Sequence, residues 1–245
     1  MGCLLVDIGN TNIKSAVYSG GKISELIGFS ADCNDLEGVF EQYWLSDGER
    51  PDRVLVSNVS KLSTVETLAT FAKVHFNIDI EVIRPVRSYK GMTTQYENPE
   101  RLGVDRWLVS LAAWLRCSAD VCVVDVGTAL TVDVVTSKGA HIGGLIAPGP
   151  NLMKASLASG AFDLEYEAFS EVEVFATNTQ DAMSLGCLSA FGGIFNVVET
   201  RLKIAGLGEA QWFLTGGAAE IVAPQMRAPF TLVPELVLDG LARMT

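Results

Sequence analysis

Leu4-Leu5-Val6-Asp7-Ile8-Gly9-Asn10-Thr11, near the amino terminus, is restated midway along the 245-residue chain as Val123-Val124-Asp125-Val126-Gly127-Thr128-Ala129-Leu130-Thr131. Each copy is an apolar run, an Asp-x-Gly with a Thr close behind, and a second β-rich stretch, Ile13–Tyr18 or Thr131–Val135. That pattern predicts a strand, a tight turn carrying a carboxylate, and a returning strand. Glycine lets backbone N–H groups approach an anion, the amides and hydroxyl can hold phosphate, and the Asp can organise a cation. Two such copies predict two similar half-domains, 1–117 and 118–245, facing one nucleotide.

The surrounding sequence fits a duplicated α/β plan. The first half reads as strands Cys3–Asp7, Ile13–Ser19 and Lys22–Gly28, a helix over Cys33–Leu45 and a buried strand Val54–Ser57. A helix over Lys61–Val74 and a strand Ile78–Ile83 follow, after the Asp47-Gly48 and Pro51 breakers. Ser88–Arg101 is polar, aromatic and aperiodic, an excursion of the kind that often carries function. Asn98-Pro99-Glu100 is a helix-start signal, and apolar residues at Val104, Trp107, Leu108, Leu111 and Leu115 predict a helix to Arg116. The second half reads as strands Val121–Asp125, Ala129–Thr136 and Ala140–Ile146, then a Pro148-Gly149-Pro150 corner and a helix from Asn151. An acidic loop, Asp163–Glu173, leads to a long helix capped by Thr177-Asn178-Thr179 and ending near Ile204; strand Trp212–Thr215 then ends in Gly216-Gly217.

Composition narrows the function. Net charge is −11, which argues against a nucleic-acid surface and an anionic membrane. The five cysteines are scattered, without metal-ligand spacing, as expected of buried thiols in a reducing cytoplasm. No signal peptide is read at the start. The longest uncharged run, Ala182–Val198, contains three glycines and falls short of the roughly 20 apolar residues of a membrane span. Two histidines, His75 and His141, stand in unrelated contexts, so His-centred catalysis is disfavoured. With no basic cluster, an anionic ligand must be held by backbone dipoles, metal ions and one or two individual cations.

Four pieces could carry chemistry. The Asp7 hairpin reads as a phosphate-binding turn or as an ordinary hairpin satisfied by Asp and Asn; its recurrence at Asp125 favours the first. Gly143-Gly144-Leu145-Ile146-Ala147-Pro148-Gly149 reads equally as bulged strand and as site lining. Leu214-Thr215-Gly216-Gly217 suits close approach to a purine or ribose, and also a plain strand-to-helix turn. Gly103-Val104-Asp105-Arg106 opens a helix, where an acid gains from the helix dipole. Alternatively, Asp105 is a general base and Arg106 a grip on an anionic group. Neither the Gly-x-x-x-x-Gly-Lys-Ser/Thr loop nor a Gly-x-Gly-x-x-Gly signature after the first strand is present.

Taken together and in order, these residues resemble the type III pantothenate kinases, within the acetate and sugar kinase, heat-shock chaperone and actin superfamily. Asp7–Thr11 resembles the first phosphate motif, Tyr96–Arg106 the substrate segment, and Asp125–Ala129 the second phosphate motif. Gly143–Gly149 is similar to the glycine-proline motif, and Asn178-Thr179 to the start of a substrate-lining helix. Pro150-Asn151 and Leu164-Glu165-Tyr166 match more loosely. The resemblance implies two actin-like (ribonuclease H-like) α/β halves with a nucleotide cleft between them. It implies γ-phosphoryl transfer from ATP to pantothenate, the first step of coenzyme A synthesis. ATP binding falls on Asp7, Ile8, Gly9, Asn10, Thr11, Asn12, Ile13, Lys14 and Thr128. The base falls on Asp105, and substrate contacts on Tyr96, Gly103, Val104, Asp105, Arg106 and Thr179. Asp125 takes a monovalent cation, K⁺ or NH₄⁺, with Mg²⁺ accompanying ATP, in a cytoplasmic homodimer. The competing readings are another kinase or a phosphatase of the superfamily, or a regulatory accessory factor without activity. Tyr96–Arg106 speaks against the former, and the joint presence of Asp7, Asp105, Asp125 and Thr179 against the latter.

Overall fold

The computed structural model describes residues 2–45, 50–160, 168–170 and 174–245. Asp47-Gly48, Leu164–Tyr166 and most of the predicted loop 163–173 lie outside these residues. The chain forms two compact units, Met1–Arg116 with Glu235–Thr245, and Cys117–Pro234.

The first unit runs β1 (Cys3–Ile8), β2 (Asn12–Ser19), β3 (Lys22–Ile23), β4 (Ile27–Ser30), α1 (Leu36–Trp44), β5 (Arg53–Asn58) and α2 (Leu62–Phe71). It continues through β6 (Glu81–Val82), β7 (Ser88–Tyr89), β8 (Met92–Thr94) and α3 (Val104–Cys117). β1 pairs antiparallel with β2 and parallel with β5; β6 extends the parallel side, and β3 and β4 both pair with β2. Alternation sends Leu4, Val6, Ile8, Val54 and Val56 to one face, where they pack with Phe40, Trp44, Val65, Leu68 and Phe71 of the two flanking helices. Phe40 and Trp44 stack at 4.4 Å, and the Trp44 indole donates to the buried Ser15 hydroxyl at 3.0 Å. Fully burying side chains of this size stabilises by about 1.5–3 kcal/mol each.

The second unit repeats the plan with β9 (Val121–Val126), β10 (Ala129–Val135), β11 (Ala140–Pro148), α4 (Pro150–Gly160), α5 (Thr179–Ile204), β12 (Gln211–Thr215), α6 (Ala219–Val222) and β13 (Phe230–Leu232). β9 is antiparallel to β10 and parallel to β12; β13 extends the parallel side and β11 the antiparallel one. The order β11-β10-β9-β12-β13 therefore matches β2-β1-β5-β6 with its outer strands. Cys122, Val124, Val126, Leu130, Val132, Trp212 and Leu214 meet Phe191, Phe195, Val198 and Leu202 of α5. By length and composition α5 is apolar enough to cross a membrane; 33% of its most apolar window is buried, and its buried face packs in this core. The last helix, α7 (Leu236–Ala242), returns to the first unit along β1 and β5, whereas a division at 117/118 assigns it to the second.

Several predicted elements differ in extent. The Lys22–Gly28 strand is two short strands: the Ser24 hydroxyl accepts from the Val17 amide at 2.9 Å in place of a main-chain carbonyl, and pairing with β2 resumes only at Ile27. α1 starts three residues after Cys33, where the Asp35 carboxylate accepts from the Gly38 amide at 2.9 Å. The start signal at Asn98 produces one 3₁₀ turn, Pro99–Arg101, with Asn98 accepting from the Glu100 amide at 3.1 Å. Of Ile78–Ile83, only Glu81–Val82 pairs as a strand.

Candidate active site

In the first unit the expected phosphate turn is a hairpin tip. The Gly9 amide donates to the Asn12 carbonyl at 3.0 Å, and Asn10, Thr11 and Asn12 are exposed. Ile8 and Ile13 have fully buried side chains, so only their main chain can serve a ligand. Asp7, one residue before the end of β1, lies between two register partners, Lys14 on β2 and Ser57 on β5. Its Oδ1 is sealed from solvent and accepts no hydrogen bond among the described residues. Burial pushes the Asp7 carboxyl up to about 6 and the nearby Asp105 carboxylate adds to the shift, while the Ser57 hydroxyl and the Lys14 ammonium oppose it. Two carboxylates from distant parts of the sequence thus share one locale.

Asp105 lies in the first turn of α3. Its Oδ1 accepts from the Arg106 amide at 2.8 Å, which fixes the side chain against the helix start. A Cβ at Gly103 would lie 2.5 Å from that same Oδ1, so glycine is what leaves the carboxylate its place. Val104 is buried in the core. Arg106 is only 6% exposed, yet its Nη1 reaches the Tyr96 hydroxyl at 3.0 Å. The Tyr96–Arg106 segment therefore closes on itself, with a cation, a phenol and a carboxylate held side by side.

In the second unit Asp125 and Thr128 belong to the β9–β10 hairpin, where the Gly127 amide donates to the Ala129 carbonyl at 2.9 Å. Asp125 has Thr131 and Thr215 as register partners. Two further glycines crowd this turn. A Cβ at Gly149 would sit 2.2 Å from the Gly127 carbonyl oxygen, and one at Gly216 would sit 2.5 Å from Asp125 Oδ1. The structure therefore brings the glycine-proline motif and the Gly216-Gly217 turn to the second hairpin, at one end of this unit's sheet. Thr179 is exposed at the start of α5; its neighbours Asn178, Asp181 and Ser170 form the capping network beside it.

Among the described residues, no three His, Cys, Asp or Glu side chains group to hold a metal ion. A divalent ion brought in on phosphates needs less, one or two carboxylates, and the unbonded buried oxygen of Asp7 fits that use. The Asp125 carboxylate, a hard oxygen donor beside closely approaching backbone, fits a monovalent cation. The histidines are used elsewhere: His75 stacks on Phe71, and His141 bonds Asp133 at 2.9 Å in a buried pair.

Residues 3–200 match the family model for type III pantothenate kinase. The chain is 35% identical over 243 residues to a Nitrosomonas eutropha protein of that name, covering 98% of this chain and 92% of the relative. It is 34% identical over 252 residues to the protein so named in Chromobacterium violaceum, covering 98% of each. The chain belongs to the type III pantothenate kinase family.

The family match takes in both hairpins, the Tyr96–Arg106 segment, α4 and most of α5. Solved structures agree on the fold. A Campylobacter jejuni protein described as a Baf family transcriptional activator superposes with a TM-score of 0.61 at 22% identity, covering 98% of this chain and 96% of its own. Spiroplasma citri MreB5 bound to ADP gives 0.52 at 10% identity, covering 99% and 95%. At these identities the likeness concerns architecture, the two-unit actin-like α/β fold of this pantothenate kinase family member. Sequence reasoning missed Ser57. Its signal is a polar residue closing an apolar strand that pairs in parallel with the Asp7 strand, visible only once that pairing is known.

Proposed function

We propose that this protein transfers the γ-phosphoryl group of ATP to the terminal hydroxyl of pantothenate, giving 4′-phosphopantothenate. The observation that carries the reading is the meeting of Asp7 and Asp105 beside an Arg106–Tyr96 pair, within a chain of this family. Phosphoryl transfer demands positioning and charge neutralisation more than covalent participation by the protein. Asp105 aligns the acceptor hydroxyl and takes its proton as the new P–O bond forms and the bond to the ADP oxygen breaks. Tyr96, Gly103, Val104, Arg106 and Thr179 hold the acceptor.

The turn from Gly9 to Lys14, with Ile8 and Ile13 contributing main chain, and the Thr128 hydroxyl bind the nucleotide phosphates. Asp7 orients Mg²⁺, which when bound neutralises phosphate charge; Asp125 holds K⁺ or NH₄⁺. The first unit thus carries the first phosphate hairpin and the acceptor segment, and the second carries the other hairpin and the adenosine-side glycines. We place the enzyme in the cytoplasm as a homodimer, acting without nucleic acid or membrane. An ATP-consumption assay with K⁺ and Mg²⁺, run with and without pantothenate, tests the reading. Consumption that depends on pantothenate is expected; consumption indifferent to it, or supported by a sugar instead, overturns the assignment.

A further inference from the structure

Arg87 precedes the β7–β8 hairpin and is exposed, and no carboxylate among the described residues accepts from it. Its guanidinium is spent on main chain. Nη1 donates to the carbonyls of Thr94, at 3.1 Å, and Tyr96, and Nη2 donates to the carbonyl of Glu97 at 2.8 Å. The Thr94 amide returns a bond to the Arg87 carbonyl at 3.0 Å. Thr94 ends β8 and Gln95–Asn98 belongs to no helix or strand, so the Tyr96 and Glu97 carbonyls have no regular ladder to satisfy them. A planar fork of donors, always charged, suits several acceptors at fixed angles in a way that a lysine ammonium does not.

Tyr96 is thereby held at both ends. Arg87 fixes its carbonyl, and Arg106 donates to its phenol oxygen at 3.0 Å. Arg106 follows Asp105 directly, and its amide is bonded to the Asp105 carboxylate. An exposed arginine outside the site is thus connected, through one tyrosine, to the charged groups inside it.

We propose that Arg87 is a positioning residue for the acceptor: it sets the path of Thr94–Glu97, and with it the placement of Tyr96 and Arg106, without touching either substrate. This rests on reading Tyr96–Arg106 as the acceptor segment. The test uses the full chain with Arg87→Met and Arg87→Lys. Both substrates are varied in turn, and hydrogen exchange is followed on the unliganded proteins. Arg87→Met is expected to raise the pantothenate KM about tenfold while the ATP KM and kcat stay within about twofold. Arg87→Lys should lie nearer to Arg87→Met than to wild type, and exchange should quicken only in peptides covering 94–102.

An unchanged pantothenate KM with unchanged exchange overturns the proposal. So does a loss of protection spread over the whole first unit, which would make Arg87 a folding residue. If the wild-type protein does not use pantothenate, the acceptor assignment fails instead, and the exchange measurement alone judges whether Arg87 holds the segment.

Discussion

The two hairpins share a frame and differ in what is hung on it. In both, a strand ending in Asp-x-Gly lies between an antiparallel partner and a parallel one. In the first, the strand pairing resumes from Ile8 to Ile13, and in the second from Val126 to Leu130, so the first turn holds one residue more. The neighbours diverge further. Asp7 has Lys14 and Ser57 in register and Asp105 close enough to raise its proton affinity. Asp125 has two threonines in register and Gly216 pressed against it. A carboxylate beside a lysine and a second carboxylate is arranged for charged ligands that come and go. A carboxylate between two threonines and close backbone suits the small cation proposed for Asp125. The strand order is shared; the side chains beside the two carboxylates are not, and the two proposed roles rest on that difference.

The comparison is broken most severely through the group that only the first unit possesses. Asp105→Asn keeps shape and removes the proposed proton acceptor. General-base removal costs about 10²–10⁴-fold in rate, and the loss is expected in kcat, with nucleotide affinity and melting temperature near wild type. Steady-state kinetics together with nucleotide titration decide it. Turnover within a few-fold of wild type removes Asp105 from proton transfer.

The hairpins themselves are legible in the sequence because apolar runs bounded by Gly, Asn and Asp have few other foldings. The tail is not. α7 is Leu-Val-Leu-Asp-Gly-Leu-Ala with no capping side chain, and glycine is a poor helix former in a helix interior. The structure shows why glycine is required there: a Cβ would lie 2.6 Å from the Leu108 carbonyl oxygen, where α7 packs against α3. Arg116 then ties the two helices through Asp239 at 2.7 Å. Such tertiary reasons leave no period to read. The site divides the same way. Asp7, Asp105 and Asp125 announce themselves through local motifs, but the closeness of Asp7 to Asp105 is a product of folding. Arg87 is silent in sequence because its partners are carbonyls, which every residue has.

A second test removes the charge of Asp7. Its carboxyl titrates near 6 in the folded protein against an ordinary 3.8, so between those values the native state binds more protons than the unfolded one. Stability therefore falls as pH rises through that window and is level above it. Asp7→Asn should make the unliganded protein more stable at pH 7.5 by about 3 kcal/mol. The advantage should shrink toward zero near pH 4, where wild-type Asp7 is itself neutral. Stabilisation by ATP with Mg²⁺ should be lost in the same variant. Urea denaturation at the two pH values measures both. A variant less stable than wild type at pH 7.5 would mean that the Asp7 charge is already compensated in the free protein, and the contrast with Asp125 would fade.

The smallest expected effect is the sharpest for assigning roles. Exchanging K⁺ for Na⁺ should depress turnover about tenfold, since a smaller, more strongly hydrated ion meets the same oxygen donors at the wrong distance; tenfold is about 1.4 kcal/mol of barrier. If Asp125 holds the ion, Asp125→Asn should lower activity in K⁺ to near the Na⁺ level and abolish the difference between them. Asp7→Asn, assayed at the highest nucleotide concentrations, should keep whatever ion preference its residual turnover shows. The reverse pattern, with discrimination lost at Asp7 and kept at Asp125, would exchange the roles of the two hairpins. The lysine opposite Asp7 makes that exchange physically costly, because a fixed ammonium and a bound cation would compete for one carboxylate.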